Sequence, residues 1–144
     1  MKQLLLLLLA GCLLSACSKV PGCMDPDGAN YDPLAEEDNG LCNYMGGAAF
    51  WHNEASAQSM IDDGITQIEF YVDGVFMDQV TPFTHWDTPP SCQSDIAFTI
   101  ENYGLGSAKS KTFSYVVRDQ DDNLIGSGNF TIYGNRCSTY EFVY

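Results

Sequence analysis

Positive charge is scarce in this chain. Of 144 residues only 6 are lysine or arginine, against 19 aspartates and glutamates, for a formal net charge of −13. Nucleic acid is bound by clustered Lys and Arg that displace counterions from phosphates, so nucleic acid is excluded as a partner. A peripheral electrostatic hold on anionic lipid is excluded for the same reason. Histidine is nearly absent too, with 2 residues. The chain has no G-x-S-x-G elbow, no phosphate-cradling glycine loop ahead of a helix, no H-E-x-x-H pair and no C-x₂-C spacing. Each of those patterns places a nucleophile, a phosphate or a metal, and their lack points away from an enzyme and from a Cys₄ zinc site. Sustained helical periodicity is also missing. Residues 53–63 would form no more than a turn or two.

What is present begins with the leader. Lys2 is followed by an apolar run over residues 4–14, too short to span a bilayer and suited to the core of a secretory signal. The run closes on Leu14-Ser15-Ala16-Cys17, which resembles a bacterial lipoprotein signal. Leu9-Ala10-Gly11-Cys12 matches the same pattern. Cleavage there would leave a seven-residue apolar core and strand Cys17 as an odd thiol. Cleavage before Cys17 leaves four cysteines, Cys23, Cys42, Cys92 and Cys137, an even set that suits an oxidising compartment. Residues 1–16 are therefore read as a signal peptide. Cys17 is read as the lipidated residue, carrying palmitate-type chains, and residues 18–22 as a linker. One acyl chain binds a membrane only marginally, at about 0.8 kcal/mol per buried methylene, so the two or three chains that this processing implies would anchor the protein stably. The resemblance to lipoprotein signals, with Ser18 in place of an aspartate, favours the outer membrane, on its periplasmic or its outer face. The leader carries Lys2 and no acid, so the mature part has a net charge of −14, one lower than the whole.

Residues 23–44 crowd acids, prolines and glycines. The run Gly22-Cys23-Met24-Asp25-Pro26, then Ala29-Asn30-Tyr31-Asp32-Pro33, Asp38-Asn39-Gly40 and Cys42-Asn43-Tyr44, resembles a short repeat of secreted and surface proteins of the Bacteroidetes, with one extra residue around Asp27-Gly28. The resemblance implies a small extracellular module closed by Cys23–Cys42, which leaves Cys92 to pair with Cys137. In the chain-entropy picture the two closures contribute about 3 and about 4 kcal/mol. Asp25, Asp27, Asn30, Asp32 and Asp38 concentrate the hard oxygen donors that Ca²⁺ takes, and the run loosely resembles a thrombospondin type 3 repeat. It is not an EF-hand: a twelve-residue loop from Asp25 puts glycine fourth rather than sixth. Two readings stay open here, a calcium module or a loop ordered by its disulfide and two prolines without metal.

Residues 45–144 alternate with period 2, the signature of strands with one buried face. Ile68, Phe70 and Val72 share a face in 66–73, Asp73-Gly74 marks a tight hairpin turn, and 75–80 returns. The pattern recurs in 95–102 (Ile96, Phe98, Ile100), 111–118 (Phe113, Tyr115, Val117), 125–133 (Phe130, Ile132) and 137–144 (Tyr140, Phe142, Tyr144). Residues 48–53 make a first strand and 119–123 a polar turn. About seven short strands in a hundred residues give an all-β fold, an antiparallel β-sandwich preceded by the small disulfide-closed module. The stretch 65–77, the run Phe113-Ser114-Tyr115 and the segment Gly126-Ser127-Gly128-Asn129-Phe130-Thr131 resemble PEGA-like sandwich domains of bacterial envelope proteins. That resemblance bears on fold and leaves the ligand open.

Two side-chain groups remain. His52 and His85 each adjoin a tryptophan, but no third ligand accompanies them. Phe83, His85, Trp86 and Tyr103 fall in loops or at strand ends, where recognition residues concentrate. They would either stack on a glycan or protein ligand or plug the ends of the sandwich. The sequence thus describes an outer-membrane-anchored, non-enzymatic binding or structural envelope component. A calcium-dependent adhesion or glycan-binding module is the alternative.

Overall fold

A computed structural model of the chain describes residues 18–144. Residues 1–17, expected from the sequence to be a signal peptide and the lipidated Cys17, lie outside the described residues.

The alternating segments form seven strands in two sheets, as the sequence predicts. These are β3 (Tyr44–Trp51), β4 (Ile68–Val72), β5 (Val75–Val80), β6 (Phe98–Gly106), β7 (Ser110–Asp119), β8 (Leu124–Tyr133) and β9 (Cys137–Glu141). One sheet is four-stranded and antiparallel, in the order β5-β4-β7-β8, and the other is three-stranded, in the order β6-β3-β9. Two short strands, β1 (Pro21–Gly22) in the expected linker and β2 (Glu37–Asp38) in the acidic segment, pair in parallel, so the linker is part of this module. Asp73 and Gly74 both take positive φ, 48° and 80°, which is the hairpin geometry their sequence demands.

The structure departs from the expected pattern in three places. β9 lies parallel to β3, so the smaller sheet is mixed rather than wholly antiparallel. Residues 53–63 form a nine-residue helix, α1 (Glu54–Asp62), longer than a turn or two. Asn53 caps it by accepting from the Ser56 N–H, Glu54 suits its positive end, and fully buried Met60 anchors it to the core. The third departure is in β6, which starts at Phe98 rather than 95 because the Ser94 hydroxyl captures the Ala97 N–H in a turn. Ile96 is left exposed. Further along, the buried face passes from Phe98 to Leu105, a change of parity that requires an irregularity between them.

The core is aromatic and centred on Phe50. Its ring lies 5.1–5.5 Å from those of Phe70, Phe98, Tyr115, Phe130 and Tyr140. β3 therefore ties both sheets together, and ring pairs of this kind add about 0.5–1.5 kcal/mol each beyond burial. The glycines that thin β8 make room for rings. A Cβ on Gly126 would meet Phe142 at 2.4 Å, and one on Gly128 would meet Tyr115 at 2.9 Å. The outer edge of β8 is closed at Thr131, whose N–H and C=O both bond the Tyr140 hydroxyl.

Both disulfides are present, Cys23–Cys42 within the acidic segment and Cys92–Cys137 between the long 81–97 connection and the start of β9. The acidic segment is docked on the sandwich. Asp25 accepts from the hydroxyl of Tyr44, the first residue of β3, at 2.7 Å and pairs with Lys109 of the β6–β7 turn.

Candidate functional site

Part of the acidic donor set bonds its own loop. Asp32 Oδ1 accepts from Leu34 N–H and Asp38 Oδ1 from Gly40 N–H. Asp25 Oδ1 takes the Asp27 N–H, and the Asn30 amide bridges Leu41 O and Asn43 N–H across the loop. These are turn-forming bonds of the kind that short polar side chains make with nearby backbone. Among the described residues no group of three or more His, Cys, Asp or Glu side chains is placed to hold a metal ion. Of the five donors expected for calcium, the side chains of Asp25, Asn30, Asp32 and Asp38 bond loop backbone, and the Asp27 carboxylate makes no hydrogen bond within the described chain. Lys109, then the Tyr44 hydroxyl and the Asp27 N–H, hold the Asp25 carboxyl at a pKa of about 2. The same bond raises the Tyr44 hydroxyl above its ordinary value.

The expected aromatic face does not assemble as a unit. Phe83 is exposed, and Trp86 sits edge-on to the His52 ring at 5.8 Å while its N–H bonds His52 O. Tyr103 lies elsewhere. It is five residues along β6 from Phe98, on the order of 17 Å at about 3.3 Å per residue, where it packs on Phe113 and accepts from Lys111 Nζ. His52 is buried, with Nε2 3.4 Å from Pro82 O. Burial holds its pKa below the ordinary value, and the charge of nearby His85 adds to the effect. Through its contacts with Pro82 O and the Trp86 N–H, His52 ties the 81–97 connection to the end of β3.

The feature that does converge is a cleft of about 240 Å³ lined by Met45, Gly46, Gly47, Cys92, Gln93, Glu101, Asn102, Asn135, Arg136 and Cys137. Its origin lies in the β3–β6 ladder. Gly46 pairs with Tyr103 and Ala48 with Ile100, so Gly47 alone faces both Glu101 and Asn102. That two-against-one count is a β-bulge, which bends a strand and re-aims its side chains. It moves Tyr103 onto the face of Phe98 and Ile100, and a second irregularity in the same ladder falls at Leu105. Asn102 takes φ +49°, and asparagine tolerates that left-handed conformation better than most residues.

Gly47 must be glycine for this to happen. A Cβ there would stand 2.7 Å from Ile100 O and 3.1 Å from Cys92 Sγ. On the opposite wall Asn135, at φ +54°, turns the chain from β8 into β9. Asn135 N–H bonds Met45 O, and Arg136 O accepts from Gly47 N–H. The Cys92–Cys137 disulfide closes the third side and brings Gln93 to the rim. Of the four non-glycine residues with positive φ among those described, two line this cleft.

The ion pairs among the described residues are Lys109–Asp25 and Arg118–Asp122. Glu101 and Arg136 therefore face the same cleft without pairing. The side chains of Gln93, Asn102 and Asn135 make no hydrogen bond within the described chain either. The lining thus presents one carboxylate, one guanidinium and three amides, all free, on a backbone fixed by a bulge and a disulfide. Such a set offers both charge signs and both hydrogen-bond donors and acceptors.

Reading the sequence alone passes over these residues. Glu101 counts there as the solvent side of a strand, and Arg136 falls in a turn. The available signal was the Gly46-Gly47 pair inside a strand, since glycine in such a place marks a bulge or close approach.

No protein-family model, curated protein or solved structure matches the chain, so the site is read from its own chemistry.

Proposed function

We propose that the chain is a lipid-anchored component of the outer membrane that binds a small ligand without chemical turnover. Cys17 supplies the anchor, the acidic segment is a covalent spacer next to it, and the sandwich carries the cleft. The observation behind the binding role is the set of five unpaired polar side chains, Gln93, Glu101, Asn102, Asn135 and Arg136, on a rigid bulged ladder. Exposed polar side chains without protein partners on a fixed backbone are available to a ligand, and little backbone ordering remains to oppose association. The Leu14-Ser15-Ala16-Cys17 pattern supports the anchor. The resemblance of residues 23–44 to surface-protein repeats, and of the strands to PEGA-like domains, supports an envelope location.

The test is to express the full chain in a Gram-negative host with labelled palmitate. Label on the protein and recovery in the outer-membrane fraction, both lost in Cys17→Ala, are expected. An unlabelled wild-type protein free in the periplasm or medium would refute the anchor.

A further inference from the structure

Resting on the binding role just proposed, we infer that the cleft takes a small zwitterion, a molecule carrying an ammonium and a carboxylate, such as a free α-amino acid or a dipeptide. The cleft is about 240 Å³, below the roughly 300–1,000 Å³ of sites for drug-sized ligands, so its occupant is small. Its two charged side chains have opposite sign and are not paired with each other.

That combination sorts the ligand classes. A simple anion would gain from Arg136 and be repelled by Glu101, on a chain whose net charge is already −13. A simple cation would meet the reverse conflict at Arg136. A sugar would find amides to bond but no aromatic ring in the lining to stack on; Met45, two glycines and the disulfide are its less polar parts. A zwitterion satisfies both charges at once. Its carboxylate lies against the Arg136 guanidinium, which can donate two parallel N–H bonds, and its ammonium donates to Glu101. The Gln93, Asn102 and Asn135 amides offer both donors and acceptors to the atoms between. The bulge at Gly47 is what makes the pair available. With regular pairing, Glu101 would project from the ladder in ordinary alternation, and Asn102 would not need φ +49°.

The test uses the purified full chain in detergent, titrated calorimetrically with alanine, alanyl-alanine, N-acetylalanine, alaninamide and glucose. Saturable heat with alanine or alanyl-alanine is expected, and which of the two binds tells free amino acid from peptide. Blocking either end, or introducing Glu101→Gln or Arg136→Gln, should weaken binding roughly tenfold or more, about 1.4 kcal/mol. Both substituted positions are exposed, so the thermal midpoint should not move. The charge-swapped Glu101→Arg/Arg136→Glu protein should recover part of the affinity, which a merely structural role for either residue would not produce.

Equal binding of the blocked compounds, or glucose binding that ignores both substitutions, would overturn the zwitterion. Silence with every probe would overturn it as well. Neither result touches the anchor, which palmitate labelling at Cys17 reads separately.

Discussion

In the acidic segment the large apolar side chains face water. Met24 is 46% exposed, Leu34 78% and Leu41 69%, whereas Phe50 at the centre of the sandwich is 2% exposed and ringed by five aromatic neighbours. Residues 23–44 have almost no apolar interior. They are shaped by Cys23–Cys42, by side-chain caps on their turns and by the Asp25 contact with Tyr44 and Lys109. Residues 45–144 are shaped by burial. This difference bears on function. In the acidic segment Asp25, Asn30, Asp32, Asp38 and Asn39 spend their side chains on holding the backbone. In the sandwich the core holds the backbone, so Glu101, Arg136 and three amides are free for something else.

The contrast can be broken most severely at the core. Phe50→Ala should cost the sandwich near the upper end of the roughly 3–5 kcal/mol seen for such truncations. The loss would be read as a lower denaturant midpoint by Trp51 and Trp86 fluorescence. Cys92→Ser/Cys137→Ser comes next, at about 4 kcal/mol in the chain-entropy picture, and it should also release the Gln93 wall of the cleft. Cys23→Ser/Cys42→Ser removes a closure of about 3 kcal/mol, but from the acidic segment alone. There it should abolish amide protection over residues 23–42 while leaving the tryptophan midpoint unchanged. A matching drop in that midpoint would mean the two regions fold as one.

The smallest effect is at the latch between the regions. Asp25 sits at about 2 rather than the ordinary 3.8 because Lys109 and Tyr44 favour its charged form. A carboxylate with a lowered pKa stabilises the docked state above its free pKa and loses that contribution as pH falls through the docked value. Docking should therefore be complete above about pH 4 and weaken as pH drops towards 2, as followed by the side-chain chemical shifts of Tyr44 and Lys109. Asp25→Asn should remove that pH dependence.

Much of the fold is legible because strand burial writes itself as alternation. Ile68, Phe70 and Val72, or Phe113 and Val117, are buried as the period-2 pattern requires. Asp73-Gly74 announces its own turn. The parallel placement of β9 is not legible, since alternation says which face is buried and nothing about which neighbour a strand chooses. The length of α1 depends on burying Met60 and on the Asn53 cap more than on periodicity.

The cleft was hidden for a different reason. Its charges come from strand and turn positions that read as ordinary solvent faces, and only the bulge opposite Gly47 brings them together. The acidic loop shows the converse. Asp25, Asp32 and Asp38 look like ligands in sequence because turns and calcium sites draw on the same residue types, and only the hydrogen bonds separate the two uses.

The most direct measurement is an amide chemical-shift map of the full-length protein titrated with alanine and with alanyl-alanine. Shifts confined to Gly46, Gly47, Gln93, Asn102, Asn135 and Arg136, with residues 25–38 unmoved, are the expected result. Shifts centred on the acidic segment, or no shifts at the cleft at saturating ligand, would contradict the claim that the sandwich carries the site.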